Sequence, residues 1–344
     1  MRDDQLPDMP VPEPESDPQR DMVVEAFKAA DPDGKRAGAV FRATYDQLYD
    51  GQHTGRFRWD QLFKTEKTHY GTLLEINLRR EFDDVIDDTA EGRPLDYLIC
   101  GHDVDCKFSQ SFGGWMLPPE CFGHLLLVAW ANDQRGTWSL GVVRASDANR
   151  RVSVNRDGKT QLSAKGREQI AWLQLEADLP PNVLLGLPPT TLAQVLAPRS
   201  GQARVTELLR RVTEKRIGRN TIATLAQQDD YMARLRDNGN GARTTLRQEG
   251  YLIPGGDYEA HRSVARRLGV VVPEPGEVVS FKVVPSEEHA PWSVELDGRH
   301  WRLARDEDEI VLPAPKLPDV RKPKKQGASG TGMLTESAPI ESEV

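Results

Sequence analysis

Three charged residues, Asp96, Asp105 and Lys107, stand close together in one short stretch of the chain. Gly101 and His102 between them are predicted to form a two-residue hairpin loop, because glycine in first place suits a type II′ turn. Side chains alternate between the faces of a strand, so the three charged residues should share one face. Two carboxylates beside an ammonium group suit Mg²⁺, which prefers oxygen ligands and retains positions for water and phosphate. The pattern favours phosphodiester hydrolysis, with the lysine orienting or activating water.

The same residues are also compatible with an ordinary hairpin. Antiparallel sheets commonly have one face in water, and such a face carries charged side chains without any catalytic purpose. The hairpin alone therefore leaves both interpretations open. The register expected from the turn pairs Cys100 with Asp103, Leu98 with Asp105, and Asp96 with Lys107.

An acidic residue earlier in the chain favours the catalytic interpretation. Glu75 lies among leucine and isoleucine residues within a helix predicted over 59–80, near the edge that is expected to be buried. A carboxylate there needs a partner or a metal ion, because burying an unpaired charge costs free energy. Glutamate on a helix, followed by Asp and then Asp-x-Lys on a hairpin, is the order found in nucleases with a P-D…(D/E)-x-K core. Pro94 stands one residue further from Asp96 than that pattern requires.

The elements that would position these residues are predicted from the periodicity of apolar residues. Helices before and after a mixed sheet indicate an α/β sandwich. The two prolines and the lack of periodicity over 174–182 favour a linker there. The predicted helices of the first half cover 22–30, 36–48, 59–80 and 163–174, and the predicted strands cover 94–100, 103–110, 124–132 and 136–145.

The second half is predicted to follow the helix-turn-helix plan, with three helices and the first strand of a wing at Tyr251. The third helix would enter the major groove of DNA, although three-helix units with solvated arginines are also common packing motifs. Further strands over 278–284 and 292–303 would complete a small sheet. The three helices cover 202–217, 219–236 and 242–248, and the candidate DNA contacts on them are Arg219, Arg243, Thr244 and Arg247.

Length and composition agree with a chain of two domains. The 344 residues carry a formal net charge of −8, of which residues 1–21 contribute −5 and residues 305–344 contribute −2, so the remaining body is nearly neutral. No apolar run approaches the 18 residues of a membrane span, and the acidic, proline-rich start predicts no signal peptide. Three cysteines without metal-type spacing are expected to be reduced thiols, which favours a cytoplasmic protein.

The predicted organisation has five parts. The two ends of the chain lack a core pattern and are rich in proline and charge, which is typical of disorder. The parts are an acidic proline-rich tail over 1–21, a nuclease domain over 22–173, a linker over 174–182, a winged-helix-type DNA-binding domain over 183–313 and a disordered tail over 314–344.

Several longer segments resemble one family, the NaeI-like type II (type IIE) restriction endonucleases. The resemblance runs in order through both halves of the chain, over about 22–313. The segments are 46–52 (DQLYDGQ), 64–69 (KTEKTH), 75–78 (EINL), 104–109 (VDCKFS), 115–120 (WMLPPE), 201–205 (GQARV) and 222–230 (IATLAQQDD).

The resemblance implies a homodimeric, Mg²⁺-dependent enzyme with a restriction-endonuclease-like mixed sheet and a C-terminal winged-helix-type domain. It places the family's four active-site residues on Glu75, Asp96, Asp105 and Lys107. It also implies cleavage of double-stranded DNA at a six-base palindrome, GCCGGC, activated by a second DNA copy bound to the C-terminal domain.

The remaining hypotheses concern individual ligands and the class of protein. Mg²⁺ would be held by Glu75, Asp96, Asp105 and the carbonyl of Cys106, and the residues Lys64, Lys67 and Ser109 would line the DNA cleft. Lys64 and Lys67 could equally be a solvated helix face. The alternatives are a winged-helix DNA-binding regulator with an inactive nuclease-like domain, which the intact set of four residues argues against, and a repair nuclease that acts on lesions.

Overall fold

The computed structural model describes residues 14–87 and 95–318. Its first half consists of helices that flank a mixed sheet, as the sequence predicts. The helices are α1 (Pro18–Ala30), α2 (Lys35–Tyr49), α3 (Gly51–Thr54), α4 (Lys64–Glu81) and α5 (Ala164–Glu168), and the strands are β1 (Ile86–Asp87), β2 (Tyr97–Ile99), β3 (His102–Ser109), β4 (Leu125–Asn132), β5 (Thr137–Arg144) and β6 (Ala171–Asp178).

These six strands form one mixed sheet whose spatial order follows the chain order. Only β3 and β4 run parallel, and the other neighbouring pairs are antiparallel. Seven of the eight residues of β4 are buried, since this central strand is covered on both faces. Helices α1, α2 and α4 cover one face, and a cluster that includes Trp115, Leu117 and Trp130 covers the other. The predicted α/β class with a mixed sheet flanked by helices is confirmed.

The predicted hairpin exists, but its predicted register is wrong. Residues Cys100 and Gly101 occupy the turn, and both have positive φ angles, 51° and 78°. Two positive φ angles define a type I′ turn, in which glycine is favoured because it lacks a Cβ atom. The turn lies one residue earlier than predicted. The observed partners are Tyr97 with Val104, Leu98 with Asp103, and Ile99 with His102.

The prediction of a helix over 163–174 is also wrong. Only α5 forms there, and the chain then enters β6, which pairs with β5 through residue 178. Leu173, Leu175 and Ala177 alternate with polar residues from Gln174 onward, which is a strand period rather than a helix period. Residues 174–178 therefore belong to the sheet and not to a linker.

The ordered elements and the apolar core extend further toward both ends of the chain than the sequence predicts. Helix α1 starts at Pro18, where the Asp17 side chain accepts a hydrogen bond from the amide of Arg20 and thereby caps the helix. At the other end, Ala314 is buried and Leu317 packs against the same apolar cluster. The rest of the two predicted tails, 1–13 and 319–344, lies outside the described residues.

The second half contains the three predicted helices in shortened form, together with two helices that were not predicted, α6 and α10. The helices are α6 (Pro189–Leu196), α7 (Gly201–Arg211), α8 (Arg219–Ala226), α9 (Ala242–Arg247) and α10 (Glu259–Arg267), and the strands are β7 (Ile217–Gly218), β8 (Tyr251–Leu252), β9 (Glu277–Val278), β10 (Phe281–Pro285), β11 (Ser293–Leu296) and β12 (Arg299–Leu303). A four-stranded sheet has the order β11-β12-β10-β8.

The predicted wing does not start with a hairpin at Tyr251. Strand β8 pairs with β10, and the chain then continues into α10. Gly256, which follows strand β8, permits close packing of the chain. A Cβ atom on Gly256 would lie 1.8 Å from the carbonyl oxygen of Glu274, so only glycine fits there.

Contacts between the two halves centre on α3 and α8. The Asn220 side chain donates a hydrogen bond of 2.6 Å to Asp46 on α2. Gly51 of α3 approaches α8 so closely that a Cβ atom there would lie 2.1 Å from Thr224 Oγ1. Across the described residues, helices with the length and apolarity that a membrane crossing requires are absent.

A buried polar network stabilises the first half of the chain, and its removal should destabilise the protein. Asp133 accepts hydrogen bonds from Arg42 Nη1 at 2.5 Å and from the Tyr49 hydroxyl at 2.7 Å. We expect Asp133→Ala to lower the free energy of unfolding by about 3 kcal/mol, because it removes one partner of a buried guanidinium group. Urea denaturation measures this change. Asp60→Ala is the control, since the ion pair of Asp60 with Arg58 is exposed, and a loss as large as that of Asp133→Ala would contradict the prediction.

Candidate active site

The charged hairpin residues lie on or beside two interior strands of the large sheet, β2 and β3, and helix α4 packs against β3. Asp105 and Lys107 are two residues apart on β3, so their side chains share one face of the strand. Asp96 immediately precedes β2, and its Oδ2 accepts a hydrogen bond of 2.8 Å from the Cys106 amide. The wrong register in the sequence analysis did not change this outcome, because the observed pairing also brings Asp96 beside Asp105.

Asp105 is the most strongly perturbed of these carboxyl groups. Its residue surface is 4% exposed, and its Oδ2 lies 2.7 Å from Lys107 Nζ. Burial, followed by the neighbouring Asp96 carboxylate, raises the pKa of Asp105 to about 7. Lys107 opposes this rise but does not cancel it. A perturbed carboxyl group beside a charged partner is typical of a functional site.

The ammonium group of Lys107 is held between two oxygen atoms. It pairs with Asp105 and donates a hydrogen bond of 3.3 Å to the carbonyl of Cys106. Burial lowers the pKa of Lys107, but the interactions with Asp105 and Asp96 outweigh burial, and the pKa stands above its usual value. Lys107 is therefore protonated at neutral pH, which suits charge stabilisation and the orientation of water.

Glu75 reaches the site from α4. Burial, followed by the charge of Asp96, raises the pKa of Glu75, while Arg79 and Lys107 act in the opposite direction. The Tyr97 hydroxyl donates a hydrogen bond of 2.8 Å to the backbone carbonyl of Glu75. This bond ties the helix to the hairpin at the position where their acidic residues meet.

Two positioning residues were missed by the sequence analysis. Arg79 donates a hydrogen bond to the carbonyl of Asp96, and its guanidinium carbon lies 5.6 Å from the centre of the Tyr97 ring. Arg79 stands four residues after Glu75, so both lie on the same face of α4. The four-residue spacing from Glu75 could therefore have identified Arg79 from the sequence. Tyr97 gave only the weaker signal of directly following Asp96.

The donor atoms suit an oxygen-preferring cation, although they do not yet surround one point. No three carboxylate, histidine or cysteine side chains converge as a metal-binding group within residues 14–87 and 95–318. Oδ2 of Asp105 is buried and accepts no hydrogen bond from the described residues, apart from its ion contact with Lys107. A buried oxygen of this kind, next to a second carboxylate, has the chemistry of a Mg²⁺ ligand. The residue types at this site therefore fit a bound Mg²⁺ ion.

The residues predicted to line the DNA cleft lie near the start of α4 and the end of β3. Lys64 is exposed, whereas Lys67 is half-buried with its Nζ 5.9 Å from the centre of the Trp59 ring. The Ser109 hydroxyl donates a hydrogen bond of 2.7 Å to the carbonyl of Ser111. Gln110 donates a hydrogen bond to the carbonyl of Lys67, which connects the two elements. The lysines and Ser109 thus share one end of the site.

The candidate contacts of the second half differ in their exposure. Arg219 at the start of α8 is exposed and pairs with Asp257 at 2.7 Å. On α9, by contrast, Arg243 donates a hydrogen bond of 2.9 Å to the carbonyl of Ile253. Thr244 Oγ1 and Arg247 Nε are buried without a hydrogen-bond partner in the described residues. These three residues of α9 are half-buried and do not form its open face.

Comparison with known proteins relates both halves to one group. A family model described as restriction endonuclease NaeI matches residues 21–312. The type II restriction enzyme NaeI of Lentzea aerocolonigenes is 45% identical over 321 residues, which covers 91% of this chain and 98% of that protein. The match to the family model includes the large sheet, the charged hairpin and nearly all described elements of the second half.

Proposed function

From the premise that the chain belongs to the NaeI family of type II restriction endonucleases, we propose that it hydrolyses double-stranded DNA at a palindrome with the help of Mg²⁺. The observation that supports this most directly is the ion pair of Asp105 with Lys107, 2.7 Å long, beside Asp96 and near Glu75. The expected target is GCCGGC, in line with the relationship. We expect the protein to act in the cytoplasm, where its DNA substrate would be found.

Each residue of the site has a role in this proposal. Asp96 and Asp105, with Glu75 and the carbonyl of Cys106, would hold the cation, which would supply positive charge to the scissile phosphate and its leaving oxygen. Lys107 would orient the attacking water and stabilise the negative charge that develops on the oxygen atoms of the scissile phosphate. The protonated state of Lys107 suits the second task. Arg79 and Tyr97 would keep the helix and the hairpin in register.

Binding of DNA would involve both halves. We propose a nuclease domain from residue 22 through the end of β6 and a winged-helix-type domain from about 183. Lys64, Lys67 and Ser109 would contact the scissile strand, and the second half would bind an activating DNA copy through phosphate contacts. Arg219 and the residues of α9, namely Arg243, Thr244 and Arg247, are the candidates in that half. Arg219 supports this role best because it is exposed.

A palindromic target also calls for two copies of the chain. Each strand of the duplex carries the same sequence, and a two-fold homodimer places one active site at each scissile bond. We therefore propose that the active enzyme is a homodimer.

Cleavage of a defined plasmid tests the proposal. We expect discrete fragments that end within GCCGGC when the plasmid carries several such sites and Mg²⁺ is present, and none in EDTA. A plasmid in which one base pair of every site is changed is the matched substrate control. Discrete fragments that end elsewhere would still support a site-specific nuclease, but they would show that GCCGGC is not its target. Tight DNA binding without cleavage in any divalent metal would instead favour the DNA-binding regulator.

A further inference from the structure

A cationic recess in the second half has no role in the cleavage chemistry. It has a volume of about 330 Å³, at the lower end of the range for small-molecule sites. Residues from α9, β8, α10 and the segment 315–318 line it, so the recess lies between elements and not along one exposed helix face. Three of its lining residues are positively charged: Arg243, Arg247 and Lys316.

These cations lack the acidic partners that neighbouring arginines have. Within residues 14–87 and 95–318, no carboxylate forms an ion pair with any of the three. Asp237 also lines the recess, but it acts on Arg243 only as a more distant charge. Other arginines of the same half are paired, namely Arg210 with Glu249, Arg219 with Asp257, Arg262 and Arg266 with Glu259, and Arg302 with Asp308.

The lack of acidic partners makes the positive charges of these residues energetically unfavourable. Burial lowers the pKa of Arg243, because a largely desolvated guanidinium group holds its charge less readily. Nε of Arg247 is buried without a hydrogen-bond partner in the described part of the chain. An anion inside the recess would supply the missing countercharge and the missing acceptors together. Guanidinium groups bind phosphate through two parallel hydrogen bonds, which makes phosphate the best-matched anion.

We propose that this recess is a binding site for a small phosphate-bearing anion, either inorganic phosphate or a mononucleotide. Arg243, Arg247 and Lys316 would bind the phosphate group. Leu252, Ile253 and Pro315 would provide an apolar wall for an attached base or sugar. The site is separate from the hairpin active site, and the proposal does not depend on DNA cleavage.

Calorimetric titration of the full chain tests the site. The probes are inorganic phosphate and deoxyguanosine monophosphate, and deoxyguanosine without phosphate and sodium chloride at equal ionic strength are the ligand controls. We expect saturable binding of about one anion per chain, weakened roughly tenfold or more by Arg247→Gln, since a charge-assisted contact is lost. The matched control Lys215→Gln removes an exposed positive charge outside the recess and should bind as the unmodified chain does.

Thermal unfolding distinguishes a binding role of Arg247 from a structural one. Phosphate should raise the unfolding temperature of the unmodified chain but not of Arg247→Gln. In phosphate-free buffer, Arg247→Gln should be at least as stable as the unmodified chain, because it removes an uncompensated charge. A lower unfolding temperature in both buffers would mean that Arg247 is structural and would overturn the proposal. So would an absence of saturable binding, or a dependence on Arg247 that is seen for duplex DNA alone.

Discussion

Replacing Lys107 with alanine should slow DNA cleavage by about 10³-fold, while the protein stays folded and still binds its target. The ammonium group lies 2.7 Å from Asp105 Oδ2 and 3.3 Å from the carbonyl oxygen of Cys106. In the proposed mechanism it would orient the attacking water and stabilise the charge on the scissile phosphate. Single-turnover cleavage of an oligonucleotide duplex with saturating Mg²⁺ measures the loss. At saturating enzyme, the change in rate reports the reaction and not the binding step.

The matched control for this variant is Lys28→Ala, which removes an exposed lysine from α1. Its cleavage rate should equal that of the unmodified protein. Lys107→Arg provides a further comparison, because it retains the charge but changes its shape and hydrogen-bond geometry. If Lys107→Ala cleaved within a factor of about three of the unmodified rate, Lys107 would not be a catalytic residue.

Asp105→Asn should abolish measurable cleavage and, in metal-free buffer, should leave DNA binding unchanged or make it tighter. The substitution keeps the size of the Asp105 side chain and removes its charge. Loss of the carboxylate removes a proposed cation ligand, and it also removes a negative charge that would repel the phosphate backbone. Cleavage assays combined with gel-shift titrations in EDTA separate the two effects.

Asp147→Asn is the control for Asp105→Asn, because the side chain of Asp147 is almost fully exposed and pairs with nearby Arg150. It should change neither cleavage nor binding. If Asp105→Asn lost cleavage and binding in parallel, the carboxylate would be needed to form the DNA-binding surface, and the proposed division between binding and chemistry would be wrong.

The residues of the site could be predicted from the sequence, but their exact geometry could not. Asp105 and Lys107 share a face in any strand register, since that depends only on the alternation of side chains. The register itself depends on which two residues occupy the turn, and Cys100-Gly101 competes with Gly101-His102 for that position. A non-glycine residue with positive φ is uncommon, so Cys100 gave little indication that it lies in the turn.

The second half was harder to predict because tertiary packing decides which face of a short helix is open. Helix α9 has only six residues, and its arginines could be assigned to DNA as easily as to a recess. The recess also depends on the segment 315–318, which the sequence analysis assigned to a tail. Strand β6 was missed for a related reason. Its residues are half-buried on both faces, so the contrast between its two faces is weak.

The position of α1 has a consequence for the order in which the chain acquires its structure during synthesis. The first helix packs against β5 and β6, and Asp17 pairs with Arg144 at 2.6 Å. The last strand of the sheet therefore leaves the ribosome about 150 residues after the helix that covers it, roughly 7–30 s later at usual elongation rates. During that interval the apolar face of α1 lacks its contact with β6. A nascent chain stalled before residue 171 should consequently bind holdase chaperones that a chain with the complete six-stranded sheet does not.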